Sequence, residues 1–232
     1  MEEKIEHIAI IPDGNRRWAK KHKKSLLEAY EKGIRKLGDV AKWAHEANVK
    51  TLTLWGFSTE NFKRSKEEKE ILWHLFEKFL KEGINKYYKE QRKGFKEVKI
   101  NFLGRLHFFP ESIQKLMKDV MRLTKNNKPY TVNFLMAYGG RAEIVDAVNK
   151  IVEKRIKNVD EAIFSSFLYT KGQKDPDLII RTGGEKRLSG LLPWQSVYSE
   201  LYFCEKLWPE FTKKDFKDAI EDYKRRKRKF GE

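Results

Sequence analysis

The chain has a single cysteine, Cys204, only six prolines and no long apolar run. One cysteine excludes an internal disulfide and any cysteine-cluster metal site. Its place in the apolar run Leu201-Tyr-Phe-Cys204 suits a core side chain better than a nucleophile. A Pro/Ser linker, a low-complexity segment and an internal repeat are also missing, so a single domain over 1–232 is expected. The apolar stretches stop well short of the roughly 18 residues that a membrane-spanning helix needs. The opening MEEKIEH is acidic and lacks the apolar region of a signal peptide, so a cytoplasmic protein is expected. Acids are scarce relative to bases, 34 Asp+Glu against 50 Lys+Arg, for a net charge of +16. That balance implies anionic partners: nucleic acid, anionic lipid or phosphorylated small molecules. Much of the excess is lysine mixed with glutamate, as in Ser65-Lys-Glu-Glu-Lys-Glu70, which suits solvated helix faces.

What the chain does have is six short apolar or β-branched runs, at 5–11, 51–57, 98–104, 130–138, 177–184 and 200–208. Between them the spacing is helical, over 26–47, about 66–92, 110–125, 141–157, 160–168 and 212–229. Strands alternating with helices predict an α/β fold: a mostly parallel central sheet of about six strands flanked by helices. Ligands of such sheets gather outside the carboxyl ends of the strands. Those ends read Asp13-Gly-Asn15, Ser58-Thr-Glu-Asn61, Gly104-Arg105, Tyr138-Gly-Gly-Arg141 and Arg181-Thr-Gly-Gly-Glu185. A structural turn needs neither a carboxylate nor several arginines, and this collection predicts a phosphate-binding site on one edge of the sheet.

Three segments carry the chemistry. In His7-Ile-Ala-Ile-Ile-Pro-Asp-Gly-Asn-Arg-Arg-Trp18, an apolar strand is stopped by Pro12, and Asp13 lies at its carboxyl end. Gly14 and Asn15 permit a strand-to-helix turn whose amides, with Arg16 and Arg17, form an anion cradle. An acid for a cation beside a positive helix end for an anion suits a metal-bound phosphate ester; an Asx-capped turn with two solvated arginines is the alternative. The loop Ser58-Thr-Glu-Asn-Phe-Lys-Arg64 offers hydroxyls, an amide and a guanidinium that hold phosphate or position a proton, or else merely cap a turn. In Arg181-Thr-Gly-Gly-Glu-Lys-Arg-Leu-Ser189, two forked cations flank a Gly-Gly turn, a geometry that fits one diphosphate. Glu200 stands alone among aromatic and apolar residues, which calls for a metal or, alternatively, a neighbouring arginine. The stripe Phe76, Phe79, Leu80, Ile84 and Tyr87 either lines a tunnel or packs a core.

Five ordered segments, HIAIIPDGNRRWAKK, WGFSTENFKR, AYGGRAEI, DLIIRTGGEKRLS and LPWQSVYSELYF, resemble the signature regions of the cis-prenyltransferases, the undecaprenyl diphosphate synthase family. No DDxxD motif of a trans-prenyl synthase is present. The resemblance implies a Mg²⁺-dependent homodimeric enzyme that condenses isopentenyl diphosphate with an allylic diphosphate (farnesyl or geranylgeranyl) to give a cis-polyprenyl diphosphate. It implies that Asp13 binds Mg²⁺ and assists departure of the allylic diphosphate, which Gly14, Asn15, Arg16 and Arg17 hold with Trp18 behind them. It further implies that Ser58, Thr59, Glu60, Asn61 and Arg64 form the second substrate motif, with Asn61 accepting or positioning a proton. Arg181, Arg187 and Ser189 then grip isopentenyl diphosphate, and Glu200 is a second metal ligand.

Two departures stand out. Counting from Asp13, Leu26, Ala29 and Tyr30 occupy places where many members have an arginine and a Gly-His pair. The C-terminus reads Arg228-Lys229-Phe230-Gly231 where the family often has Arg-x-Gly, and the basic run 224–229 suits a solvated face or contact with a membrane surface. Two other readings compete with the enzyme: a basic RNA-binding module, resting on charge and on Trp18, Trp55 and Phe57, and a non-catalytic partner subunit of another prenyltransferase. The first leaves Asp13, Glu60 and Glu200 without purpose, and the second has no need to keep Asp13, Asn61, Arg181, Arg187 and Glu200; no nucleic acid is expected.

Overall fold

The computed structural model describes residues 4–89 and 97–226. The Arg228–Gly231 departure and residues 227–229 of the basic run lie outside them.

The six apolar runs form six strands, β1 (His7–Ile11), β2 (Thr51–Ser58), β3 (Val98–Leu103), β4 (Tyr130–Tyr138), β5 (Leu178–Arg181) and β6 (Glu200–Phe203). They build one sheet in the order β3-β4-β2-β1-β5-β6, and every pairing is parallel. The helices are α1 (Asn15–His22), α2 (Leu26–Glu46), α3 (Lys66–Lys89), α4 (Glu111–Thr124), α5 (Gly140–Glu153), α6 (Glu161–Ser165) and α7 (Lys213–Arg225). Local chemistry sets their starts. Ser25 caps α2 in a reciprocal box with Glu28, and Thr212 caps α7 in the same way with Asp215.

All five residues of β1 are buried, because the strand is covered on both faces. Ile8 and Ile10 face Val40 and Ala44 of α2 and Phe216, Ala219 and Tyr223 of α7. Ala9 and Ile11 face the opposite way, onto Tyr138, Leu191 and Leu192. A separate apolar cluster lies where β2, β3 and β4 meet α2, α3 and α4, with Phe57, Leu75, Phe102 and Met117 among its buried members.

At the carboxyl end of β2 the ladder with β4 is irregular. Trp55 pairs with Leu135 and Phe57 with Met136, so Gly56 is an extra residue; Ser58 then pairs with Tyr138, so Ala137 is one too. The offset turns Phe57 into the core and delivers Ser58 to the sheet edge.

Candidate active site

Asp13 follows β1 directly, and its backbone is pinned in place: Thr182 Oγ1 and the Trp208 amide donate to its carbonyl at 2.8 and 2.9 Å. The turn into α1 passes through Gly14 at φ 117°, where a Cβ would lie 2.9 Å from Leu207. Only glycine takes that conformation without strain at such close quarters. Gly183, at φ 87°, makes the same kind of room for Arg17, whose Nη1 donates to the Gly183 carbonyl at 2.7 Å.

Around the Asp13 carboxylate the cations converge. Arg181 Nη2 donates to Oδ2 at 3.0 Å, and Arg17 Nη2 lies 3.2 Å from Oδ1. Arg181, its side chain only 5% exposed, spends its other donors on the Arg187 carbonyl and on Ser189 Oγ at 2.8 Å. Among the described residues its Nε has no hydrogen-bond partner, so the guanidinium keeps unused hydrogen-bonding capacity. The Arg187 side chain points to solvent, paired with Glu185.

The second loop forms a 3₁₀ turn over Thr59–Lys63. Asn61 Oδ1 accepts the Ser58 amide at 3.0 Å, and Thr59 Oγ1 donates to Glu60 at 3.0 Å. Burial tends to raise the Glu60 pKa, but hydrogen bonds from its own amide and from the Ser58 and Thr59 hydroxyls outweigh it and hold the group below the usual range. Arg64 Nη1 donates to the Tyr30 hydroxyl at 3.1 Å and lies 3.3 Å from the buried Glu68 carboxylate, to which Tyr30 also donates.

These groups share one cavity of about 580 Å³. Asp13, Asn15, Ser58, Asn61, Arg64, Arg181 and Ser189 line one part of it. The rest is apolar and runs between α3 and the sheet, past Phe76, Leu80 and Ile84, to Ile100 on β3 and Leu123 on α4. The stripe on α3 therefore lines a cavity as well as packing a core.

Several expected residues stand elsewhere. Trp18 is buried against Ala29 beneath α1, with Lys32 Nζ 4.5 Å from its ring centroid, and Arg16 is exposed. Arg105 forms a fork with Asp146 at 2.8 and 3.0 Å, and neither it nor Arg141 reaches the cavity. The structure does not bring Glu200 beside Asp13, where the resemblance implies a second metal ligand. Glu200 pairs with Leu178, the first residue of β5, whereas Arg181 at its last residue reaches Asp13. Three ladder steps, roughly 10 Å along the strands, separate the two levels. Glu200 Oε2 instead accepts Arg226 Nη1 at 2.5 Å, the arginine pairing that was the alternative. Glu185 is the other carboxylate near Asp13, its Oε1 3.9 Å from Arg17 Nη1, and among the described residues no group of three potential metal ligands occurs.

The Tyr30–Glu68–Arg64 cluster was missed by sequence reasoning. In the sequence Tyr30 reads as a departure whose hydroxyl is left to donate to a phosphate, and Glu68 as one more acid in a solvated Lys/Glu run.

An α/β sheet whose strand ends gather arginines at one part of a largely apolar cavity defines a class of enzyme that handles amphiphilic phosphate esters. The family model for putative undecaprenyl diphosphate synthases matches residues 11–231. A tritrans,polycis-undecaprenyl-diphosphate synthase (geranylgeranyl-diphosphate specific) of Thermococcus kodakarensis is 44% identical over 97% of this chain and 86% of its own length. An isoprenyl transferase of Thermotoga maritima is 44% identical over 97% and 96%. Among solved structures, lavandulyl diphosphate synthase from Lavandula x intermedia, in complex with dimethylallyl diphosphate, superposes with a TM-score of 0.91 at 35% identity, covering 99% of both chains. A probable undecaprenyl diphosphate synthase from Campylobacter jejuni does so with a TM-score of 0.80 at 31% identity, covering 99% and 100%. The chain belongs to the undecaprenyl diphosphate synthase family of cis-prenyltransferases. It is an enzyme of cis-prenyl chain elongation.

Proposed function

We propose that this chain condenses isopentenyl diphosphate with a farnesyl or geranylgeranyl diphosphate, releasing diphosphate and forming a cis-polyprenyl diphosphate. The observation that carries the reading is the single cavity with Asp13, Arg64, Arg181 and Ser189 at one end and an apolar bore at the other. That polarity matches an amphiphile with a charged head and a growing hydrocarbon tail. Gly14, Asn15, Arg16 and Arg17 hold the allylic diphosphate at the start of α1. Arg181, Arg187 and Ser189 hold the diphosphate of isopentenyl diphosphate, Arg187 swinging in from its pairing with Glu185.

In the reaction the allylic C–O bond breaks, a C–C bond forms to the terminal alkene carbon of isopentenyl diphosphate, and a proton leaves its C2. The arginines stabilise the charge that develops on the departing diphosphate. An amide is a poor base, so a diphosphate oxygen takes the proton and Asn61 orients it, its own Oδ1 being fixed by the Ser58 amide. Thr59 and Glu60 brace that turn.

Asp13 fits a role toward Mg²⁺. This hard cation takes one or two protein carboxylates and fills its remaining places with water and substrate phosphate oxygens. Mg²⁺ held by Asp13 would supply positive charge to offset the charge of the diphosphate.

The whole chain serves as one catalytic domain of a homodimer in the cytoplasm. Supporting self-association, Val145, Val148 and Val152 form an exposed stripe along α5, with Val197 exposed as well. Among the described residues no helix is long and apolar enough to cross a membrane, and the exposed Lys20, Lys21, Lys23 and Lys24 suit peripheral contact with an anionic surface.

The test is incubation of the pure protein with Mg²⁺, isopentenyl diphosphate and a panel of allylic starters, followed by product mass. Products extended in five-carbon steps support the reading; no incorporation with any starter overturns it.

A further inference from the structure

Tyr30 lies 34 residues before Arg64 and 38 before Glu68, yet the three meet in a closed hydrogen-bonded set beside the polar end of the cavity. Tyr30 is 5% exposed and Glu68 is 7% exposed, so neither group is hydrated enough to lose its partner cheaply. The Tyr30 hydroxyl has one proton, and it goes to Glu68 Oε1; one of its lone pairs accepts from Arg64 Nη1. A phosphate ligand needs donors, and this hydroxyl has none left to give. Arg64 is different. Its Nη1 is engaged by Tyr30 and Glu68, while among the described residues no hydrogen bond to a protein group occupies its Nε or Nη2, and its side chain is 23% exposed. With Asp13, Ser58 and Asn61 it lines the same cavity.

We propose that Tyr30 is a positioning residue: with Glu68 it fixes Nη1 of Arg64 so that the remaining donors of that guanidinium face the diphosphate of the allylic substrate. The inference rests on the function proposed above. On it, α2 adds no cation to the lining of the cavity, and Arg64, held from α2 by Tyr30 and from α3 by Glu68, supplies the fork. A guanidinium already locked in one rotamer loses less freedom when it binds than one that is loose.

The experiment is steady-state kinetics of the full chain with each substrate varied in turn, on Tyr30→Phe, Arg64→Ala and the double variant. Tyr30→Phe is expected to raise KM for the allylic diphosphate about tenfold, leaving KM for isopentenyl diphosphate within about twofold. In the Arg64→Ala background the same substitution is expected to add less than about twofold. An unchanged allylic KM, an equal rise in both KM values, or an undiminished penalty in the Arg64→Ala background overturns the inference. Should Tyr30→Phe lower the melting temperature enough to prevent assay, Glu68→Gln, which keeps volume and breaks the same clamp, is held to the same three outcomes. Wild-type protein that elongates no starter overturns the proposed function itself, whereas active wild type with an unaltered variant overturns only the role of Tyr30.

Discussion

Asp13 and His7 stand at the two ends of β1, and both are polar groups held by partners drawn from distant sequence. Replacing Asp13 by alanine removes the carboxylate that two arginines address while leaving its backbone hydrogen bonds to Thr182 and Trp208 intact. The fold is expected to persist, with isopentenyl incorporation falling by about 10²–10³-fold; radiolabel incorporation and circular dichroism check the two halves. His7 acts on stability instead. It is buried between the Lys174 carbonyl at 2.6 Å and Thr53 Oγ1 at 2.8 Å. Burial pushes its pKa down from 6.5 to about 4, although the Lys174 carbonyl and the Asp177 charge pull the other way. The unfolded chain therefore takes up a proton near pH 6.5 that the native state refuses until about pH 4. The contribution is full above pH 6.5 and is lost as pH falls through this window, about 2 kcal/mol between about pH 7 and 5. Denaturant titrations at the two pH values should show that loss, and His7→Gln should reduce it while lowering stability at both.

Helix α2 carries two glycines whose surroundings differ. At Gly33 a Cβ would lie 2.3 Å from Asn15 Oδ1 and 3.3 Å from the ring of Trp208, whose Nε1 donates to the Gly33 carbonyl at 2.8 Å. At Gly38 nothing comes within 4 Å. Gly38→Ala is expected to raise stability by about 0.5–1 kcal/mol through helix propensity. Gly33→Ala must push Asn15 aside, and is expected to end up about 1–3 kcal/mol below Gly38→Ala; melting temperatures of the two variants decide it. The elements themselves were well marked in the sequence: each apolar run became a strand, and α2 and α4 begin and end within a residue or two of their expected bounds. Capping residues and periodicity are local signals, which is why they are legible. The irregular ladder at Gly56 and Ala137 is not, because it depends on how two strands 80 residues apart accommodate each other.

Across the whole molecule, the parallel sheet brings Asp13, Ser58, Asn61 and Arg181 to one edge from three separate strand ends, a convergence that strand order alone made visible. What the pattern of residues leaves open is which end of a strand a lone acid occupies and which side of the sheet a cation takes. Glu200 thus reads as a site residue yet begins its strand, and Arg105 follows a strand end yet turns to Asp146. The apolar cavity reaches Ile100 and Leu123, far from the cationic groups. Ile100→Trp, which fills that end, is expected to shift products toward fewer isoprene units while the first condensation proceeds at a rate within about twofold of wild type. Product mass spectra and single-turnover rates test the two claims separately.

The pairing of Asp13 with Arg17 and Arg181 also sets an order of events. Its carboxylate serves as an internal counter-ion, so an incoming diphosphate displaces an anion already in place instead of filling a bare positive patch. On the function proposed above, arginines that had changed partner would leave the Asp13 carboxylate open to a cation. Binding of the anion would thereby favour binding of the cation, because the first frees the carboxylate that holds the second.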